Sequence, residues 1–198
     1  MANNIPEYFT ALLPESYIIG GLQLEPFSIG HYIILSRYNS PFVSCEQEIS
    51  TAGDLLFAIA VCCRTFEQAI SFVRNEEEAK LWMEEYAAKI VSECEKENVV
   101  IDWQAKMVDF MFYIKEHLNK PTVIDRNHGI TSTEQPSGMN FHQSLIITLT
   151  SKGGYTYSQT MNAPYSQALF DYYAVAEKEG AVRFANEDEK LLLELAKG

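Results

Sequence analysis

The sequence predicts an all-α fold: a compact multi-helix domain over residues 1–118, an exposed loop over 119–139, and a smaller helical part over 140–198. Three observations support this prediction. Apolar residues recur at steps of three and four, residues that cap helices precede most of the apolar runs, and proline, glycine, serine and threonine crowd into the loop segment. This pattern is typical of packed amphipathic helices with one long interruption.

The first elements of the chain are short. Residues 5–13 predict a short helix, which the following proline ends. Residues 17–25 are apolar but contain a glycine pair, which favours an extended or turning segment over a helix. Ser28 is a suitable N-cap for the next helix, which we expect to end near Asn39.

Two further helices are marked by cap patterns. Thr51 and Asp54 have the spacing of a capping box in front of the apolar run 55–63. Because this run is apolar on nearly all sides, it predicts the central helix of the fold. Thr65 and Gln68 repeat the cap pattern and begin another short helix.

The segments 75–98 and 102–118 predict longer helices with one buried face each. The first has an opposite, charged side that includes Glu77, Glu84 and Glu85, and its apolar stripe comprises Ala79, Trp82, Met83, Tyr86, Ala87, Ile90, Val91 and Cys94. Asp102 can cap the second helix, whose predicted stripe comprises Trp103, Met107, Phe110, Met111, Ile114 and Leu118.

After the loop, residues 141–151 predict a helix, although the β-branched run 145–150 is equally compatible with a strand. Residues 157–162 predict a single turn. Pro164 opens a helix over 165–179, and a last helix follows a cap at Asn186.

Composition excludes some classes of partner. The net charge of −12 and pI near 4.7 disfavour nonspecific nucleic-acid binding and docking on anionic membranes, and they suit a protein partner with a basic face. The N-terminal residues lack the pattern of a signal peptide, and no apolar run is long enough for a bilayer span. These features predict a soluble protein of the cytoplasm.

The sequence contains no assembled catalytic motif, so we expect no enzymatic activity, no metal and no cofactor. Its histidines are isolated from one another, and its cysteines lack the C-x2-C spacing of a zinc site. Buried free thiols are the ordinary interpretation of such cysteines. The alternative is an enzyme or metal-binding protein that uses His31 with Cys62 or Cys63.

Two sets of residues are candidates for partner binding. The carboxylates Glu77, Glu84 and Glu85 would form an acidic docking face, although a solvated helix surface is the ordinary interpretation. The aromatic side chains would form an interaction patch if they do not all fit in a core, and they comprise Tyr157, Tyr165 and Tyr172.

Two stretches resemble proteins of phage and prophage tail modules. Residues 22–42 read LQLEPFSIGHYIILSRYNSPF and residues 53–63 read GDLLFAIAVCC. In that group an L-x-P-F-S/T-x-G-H segment precedes a G-D-L-x-x-A-V-x-I/V-C helix. The group is described as tail assembly chaperone-like, and the match covers about a fifth of the chain.

The resemblance implies a non-enzymatic helical protein that binds the tape measure protein or tail-tube subunits and prevents their aggregation before assembly. It carries no catalytic residues to this sequence. It implies that the motif residues define the fold, and these are Pro26, Phe27, Gly30, His31 and Asp54. A structural virion component, such as a tail completion or connector subunit, is the alternative.

Overall fold

The computed structural model describes residues 17–44, 50–96, 100–126 and 140–195. Helices dominate this part of the chain, as predicted. The fold is not all-α, however, because it contains two small antiparallel sheets of two strands each. The predicted helix over 5–13 lies outside the described residues.

The described residues form two units. The first comprises residues 17–118 together with 161–165, and the second comprises residues 119–160 and 166–195. The first part of the chain contains β1 (Tyr17–Ile19), β2 (Leu22–Leu24), α1 (Ile29–Arg37), α2 (Ala52–Cys62), α3 (Phe66–Arg74), α4 (Glu76–Lys96) and α5 (Trp103–His117). The remainder contains β3 (Val123–Asp125), α6 (Phe141–Ser151), α7 (Tyr157–Asn162), α8 (Tyr165–Lys178), β4 (Val182–Phe184) and α9 (Glu187–Leu195).

The first sheet is a hairpin around the glycine pair. Gly20 and Gly21 have φ angles of 59° and 76°, which a two-residue hairpin turn requires of its central positions. The strands pair with Ile19 opposite Leu22. The hydroxyl of Tyr86 on α4 lies 2.9 Å from the carbonyl oxygens of both Ile19 and Gly20. The predicted turning segment is therefore a hairpin, fixed to α4 by one buried phenol.

The predicted helix caps at Ser28, Thr51 and Asp102 are confirmed. Ser28 and Thr51 each form a reciprocal capping box, with His31 and Asp54 respectively as the third helical residue. At α5 the side chain of Asp102 accepts a hydrogen bond from the Ala105 N–H at 2.9 Å. These bonds satisfy N–H groups that have no partner inside the helix.

Helix α2 is the centre of the first unit, as its continuous apolar run predicts. Every residue of the run 58–62 is buried, and Leu55 and Leu56 are buried one turn earlier. Helices α1, α3, α4 and α5 all pack against it. An aromatic cluster lies beside it, in which the Tyr113 ring meets Phe27 edge-on at 5.9 Å and Phe110 at 5.4 Å.

The buried stripe of α5 differs from the predicted one. Phe110 and Ile114 are buried as expected, but Met111 is 59% exposed, and Tyr113 and His117 are buried in its place. Both sets of positions have helical spacing, so periodicity alone does not choose between them. The aromatic cluster around Tyr113 decides which face turns inward.

The second unit contains the second sheet, which sequence analysis did not predict. Strand β3 begins within the segment 119–139 that was predicted to be a loop, and it pairs with β4 so that Val123 faces Phe184. The rest of that segment, 127–139, lies outside the described residues. The run 145–150 is helical, because it forms the second half of α6, where Leu145 and Leu149 are buried.

Candidate protein-binding surface

The motif Pro-Phe-Ser-Ile-Gly-His lies where α1 begins, and its groups are used internally. Ser28 and His31 are buried, the Ser28 N–H donates to His31 Nδ1 at 3.2 Å, and the His31 N–H donates to Ser28 Oγ at 3.2 Å. Because Nδ1 accepts a hydrogen bond, the proton of the neutral ring lies on Nε2. That nitrogen donates to the Arg64 carbonyl at 2.7 Å.

These contacts determine the chemistry of His31. Burial lowers its pKa from 6.5 to about 4, against the opposing effect of the Arg64 carbonyl. The ring is therefore neutral near pH 7, and both of its nitrogens are hydrogen-bonded. The geometry makes this residue a link between the start of α1 and the end of α2.

Gly30 brings α1 close to its neighbours. A Cβ at this position would lie 2.4 Å from Cδ2 of Phe66 and 2.8 Å from the carbonyl oxygen of Met161. No side chain larger than hydrogen fits without movement of α1, α3 or the 161–165 segment. Phe27, which precedes the cap, is fully buried and accepts a hydrogen bond at its carbonyl from the Tyr165 N–H at 2.8 Å.

The two cysteines of the alternative hypothesis lie in non-reactive environments. Cys62 is fully buried, and burial raises its pKa far above the usual value of a thiol. Cys63 is half-buried, and burial raises its pKa as well, although the nearby Arg64 opposes the shift. Reactive cysteines have lowered pKa values. Among the described residues, no group of three or more histidine, cysteine or acidic side chains could hold a metal ion.

The three candidate glutamates share the exposed side of α4. Glu77, Glu84 and Glu85 are all exposed, while the opposite face buries Ala79, Tyr86 and Ile90. Lys80 lies 3.9 Å from Glu84 in an exposed ion pair, which contributes little to stability. The three carboxylates thus form an acidic stripe in solvent, which the exposed Leu81 interrupts between Glu77 and Glu84.

The three candidate tyrosines have different environments. Tyr157 is 60% exposed, and Tyr172 is half-buried, with its ring 5.7 Å from Phe141 and 5.2 Å from Tyr173. Tyr165 is buried in the first unit, where its ring packs at 5.5 Å from Tyr32. Tyr165 therefore belongs to the core, and only Tyr157 presents most of its side chain to solvent.

Two groups of exposed apolar residues were not among the binding candidates predicted from the sequence. On α5, Val108, Met111 and Phe112 are 50%, 59% and 56% exposed and share one face at helical spacing. We call these three residues the α5 stripe. In the second unit, helix α9 exposes Leu191, Leu192, Leu193 and Leu195. The sequence does contain a signal for the α5 stripe, because Val108, Met111 and Phe112 are apolar and have helical spacing.

No helix in the described ranges has the length and hydropathy of a membrane span. Comparison with known proteins found no matching protein family, no matching curated protein and no matching solved structure.

Proposed function

We propose that this chain is a non-enzymatic binding factor that assists the assembly of a phage or prophage tail. In this role it covers apolar segments of the tape measure protein or of tail-tube subunits until they assemble. The observation that carries the proposal is the α5 stripe, where three apolar side chains are at least half exposed on an otherwise well-packed helix. Clustered exposed apolar side chains are typical of protein interaction sites.

The negative charge of the chain favours one kind of protein partner. The acidic stripe of α4 and the net charge of −12 favour a partner whose apolar segment is flanked by lysine or arginine. The resemblance of residues 22–42 and 53–63 to tail-module proteins supplies the identity of that partner. The buried and hydrogen-bonded state of His31 agrees with a motif that builds the fold and leaves binding to other residues.

The proposal is tested by the aggregation of the partner. A phage tape measure protein, the proposed partner, is diluted from denaturant with and without the purified protein, and light scattering is followed. We expect the wild type to suppress scattering and the Phe112→Ser variant to suppress it less. Ile147→Ser, a change at an exposed apolar residue of α6, is the matched control and should behave as wild type.

Purified tail particles separate this role from that of a structural virion component. An assembly factor is missing from finished particles, whereas a tail completion or connector subunit is present at a fixed copy number. Scattering that is equal with and without the protein would contradict the proposal. A fixed copy number in particles would favour the structural alternative.

A further inference from the structure

An open groove lies in the first unit between the β1–β2 hairpin, the end of α2, and helices α3 and α4. Its volume is about 470 Å³, and its walls include Leu22, Gln23, Ser71, Phe72 and Trp82, with Arg64 beside them. This volume falls within the range of pockets that hold small ligands or short peptide segments. The α5 stripe and the exposed glutamates Glu77, Glu84 and Glu85 do not line it.

Arg64 is held in a fixed position in this groove. Its guanidinium carbon lies 4.1 Å from the centre of the Phe72 ring and 4.7 Å from that of Trp82, and the two rings are nearly perpendicular at 85°. Its Nη1 donates to the Ala60 carbonyl and to Cys63 Sγ, the latter at 3.2 Å. The side chain is thus ordered before any ligand arrives, which lowers the entropic cost of binding.

This guanidinium has no acidic partner within the described part of the chain. No carboxylate there lies within 4.0 Å of it, and its Nε and Nη2 groups have no acceptor there. Glu78 also lines the groove, but its carboxylate accepts a hydrogen bond from the Asn75 amide at 2.8 Å.

We propose that this groove binds a carboxylate carried by a peptide segment, either an acidic side chain or a chain terminus. The free edge of the guanidinium matches the two oxygens of a carboxylate, and the bond is strengthened by charge. Leu22, Phe72 and Trp82 supply apolar walls for the residues beside that carboxylate. A free phosphate ion would leave those walls unused. The proposal does not depend on the proposed role in tail assembly.

The test uses Trp82 as the probe of occupancy. The sequence has two tryptophans, so Trp103→Phe leaves Trp82 as the sole source of indole fluorescence. In this background, a five-residue acetylated and amidated peptide with a central glutamate and leucine neighbours is titrated. A saturable fluorescence change is expected, and the same peptide with glutamine should bind at least about tenfold more weakly. A peptide with a free C-terminal carboxylate and no acidic side chain distinguishes the two sources of the group.

Variants test whether the fluorescence change comes from peptide binding in the groove. Arg64→Gln removes the cation, and Ser71→Glu, at an exposed position on the wall, places a carboxylate beside Arg64 without altering its contacts. Both variants should lose binding of the glutamate peptide by about tenfold or more, while remaining folded by circular dichroism. Glu78→Gln should tighten binding, because it removes a like charge. Gln104→Glu, exposed on α5, is the charge-matched control and should bind as the Trp103→Phe parent does.

The proposal would be overturned if no peptide gives a saturable fluorescence change, or if the glutamate and glutamine peptides bind equally. It would also be overturned if folded Ser71→Glu binds the glutamate peptide without impairment, or if inorganic phosphate binds as tightly as that peptide. If Arg64→Gln does not fold, Ser71→Glu and the peptide pair decide the question, because neither alters the contacts that hold Arg64.

Discussion

The start of α1 and the helix α9 differ in the exposure of their apolar groups. Between Phe27 and His31 every residue is buried, and both ring nitrogens of His31 are hydrogen-bonded. In α9 four leucines are exposed, Asn186 caps the helix, and Arg183 binds Glu189 through two hydrogen bonds. The motif that can be read in the sequence therefore builds the fold, while exposed apolar residues outside it are available for binding.

The largest expected difference is between two leucines of the second unit. Leu149 on α6 is fully buried, whereas Leu192 on α9 is 65% exposed. Leu149→Ala should lower the free energy of unfolding by about 4 kcal/mol, because it leaves a cavity. Leu192→Ala should change it by less than about 0.5 kcal/mol. Urea denaturation measures both values, and similar losses in the two variants would mean that α9 is packed in solution.

The next comparison is between two glycines of the first unit. Gly30→Ala places a methyl group against Phe66 and the Met161 carbonyl and should cost about 3 kcal/mol of the free energy of unfolding. Gly53, in the first turn of α2, has no neighbour closer than 3.6 Å to the position of such a methyl group. Gly53→Ala should therefore stabilise the protein by up to about 1 kcal/mol, because alanine favours the helix. If Gly30→Ala is as stable as wild type, α1 does not approach Phe66 and the Met161 carbonyl as closely as described.

Acid should weaken the fold through His31. Its pKa is lowered from 6.5 to about 4 in the folded state, so between these values the unfolded chain binds more protons than the folded one. The stability is present above about pH 6.5 and is lost as the pH falls toward about pH 4, by about 3 kcal/mol. His117 and His142 also have lowered pKa values because of burial, and they act in the same direction.

His31→Gln isolates this contribution, because glutamine at the third helical position can still accept from the Ser28 N–H. Urea unfolding from pH 7 to pH 4 should show a shallower decline in this variant than in wild type. His142→Gln, at a half-buried position, should reduce the decline less. Parallel pH profiles for wild type and His31→Gln would contradict the assigned environment of His31.

The smallest expected effect concerns a single hydroxyl. Tyr86→Phe removes the group that bonds the carbonyls of the β1–β2 turn and should cost about 1 kcal/mol. Tyr172→Phe keeps the ring contacts of a half-buried tyrosine and should cost less than about 0.5 kcal/mol. Thermal unfolding of the pair gives the difference, and an unchanged Tyr86→Phe would show that the hairpin does not depend on this bond.

Local signals in the sequence predicted much of the fold. The caps at Ser28, Thr51 and Asp102 depend on residues three positions apart, and the central position of α2 follows from an uninterrupted apolar run. The β3–β4 pairing joins three-residue strands that are distant in sequence, and such pairs leave no periodic pattern to detect. The sequence therefore predicted the helices and the turning segment at the β1–β2 hairpin, but not the β3–β4 sheet.

The candidate sites were less predictable for a related reason. The three glutamates of α4 are exposed as expected, because charge on one helix face is a local property. The burial of Tyr165 depends on Phe27 and Tyr32, and the groove at Arg64 depends on a hairpin and three helices. In α5, two overlapping sets of residues have helical spacing, and the tertiary contacts of Tyr113 determine which set is buried.

The most direct test of the central claim compares partner binding by two variants of the first unit. A double variant, Met111→Ser with Phe112→Ser, removes most of the α5 stripe, and His31→Gln alters the motif while keeping its cap. Calorimetric titration with a purified tape measure protein, the proposed partner, should give binding at least about tenfold weaker for the double variant, with its free energy of unfolding unchanged within about 0.5 kcal/mol. Folded His31→Gln should bind as wild type. Equal binding by the double variant and wild type, or lost binding by folded His31→Gln, would contradict the account.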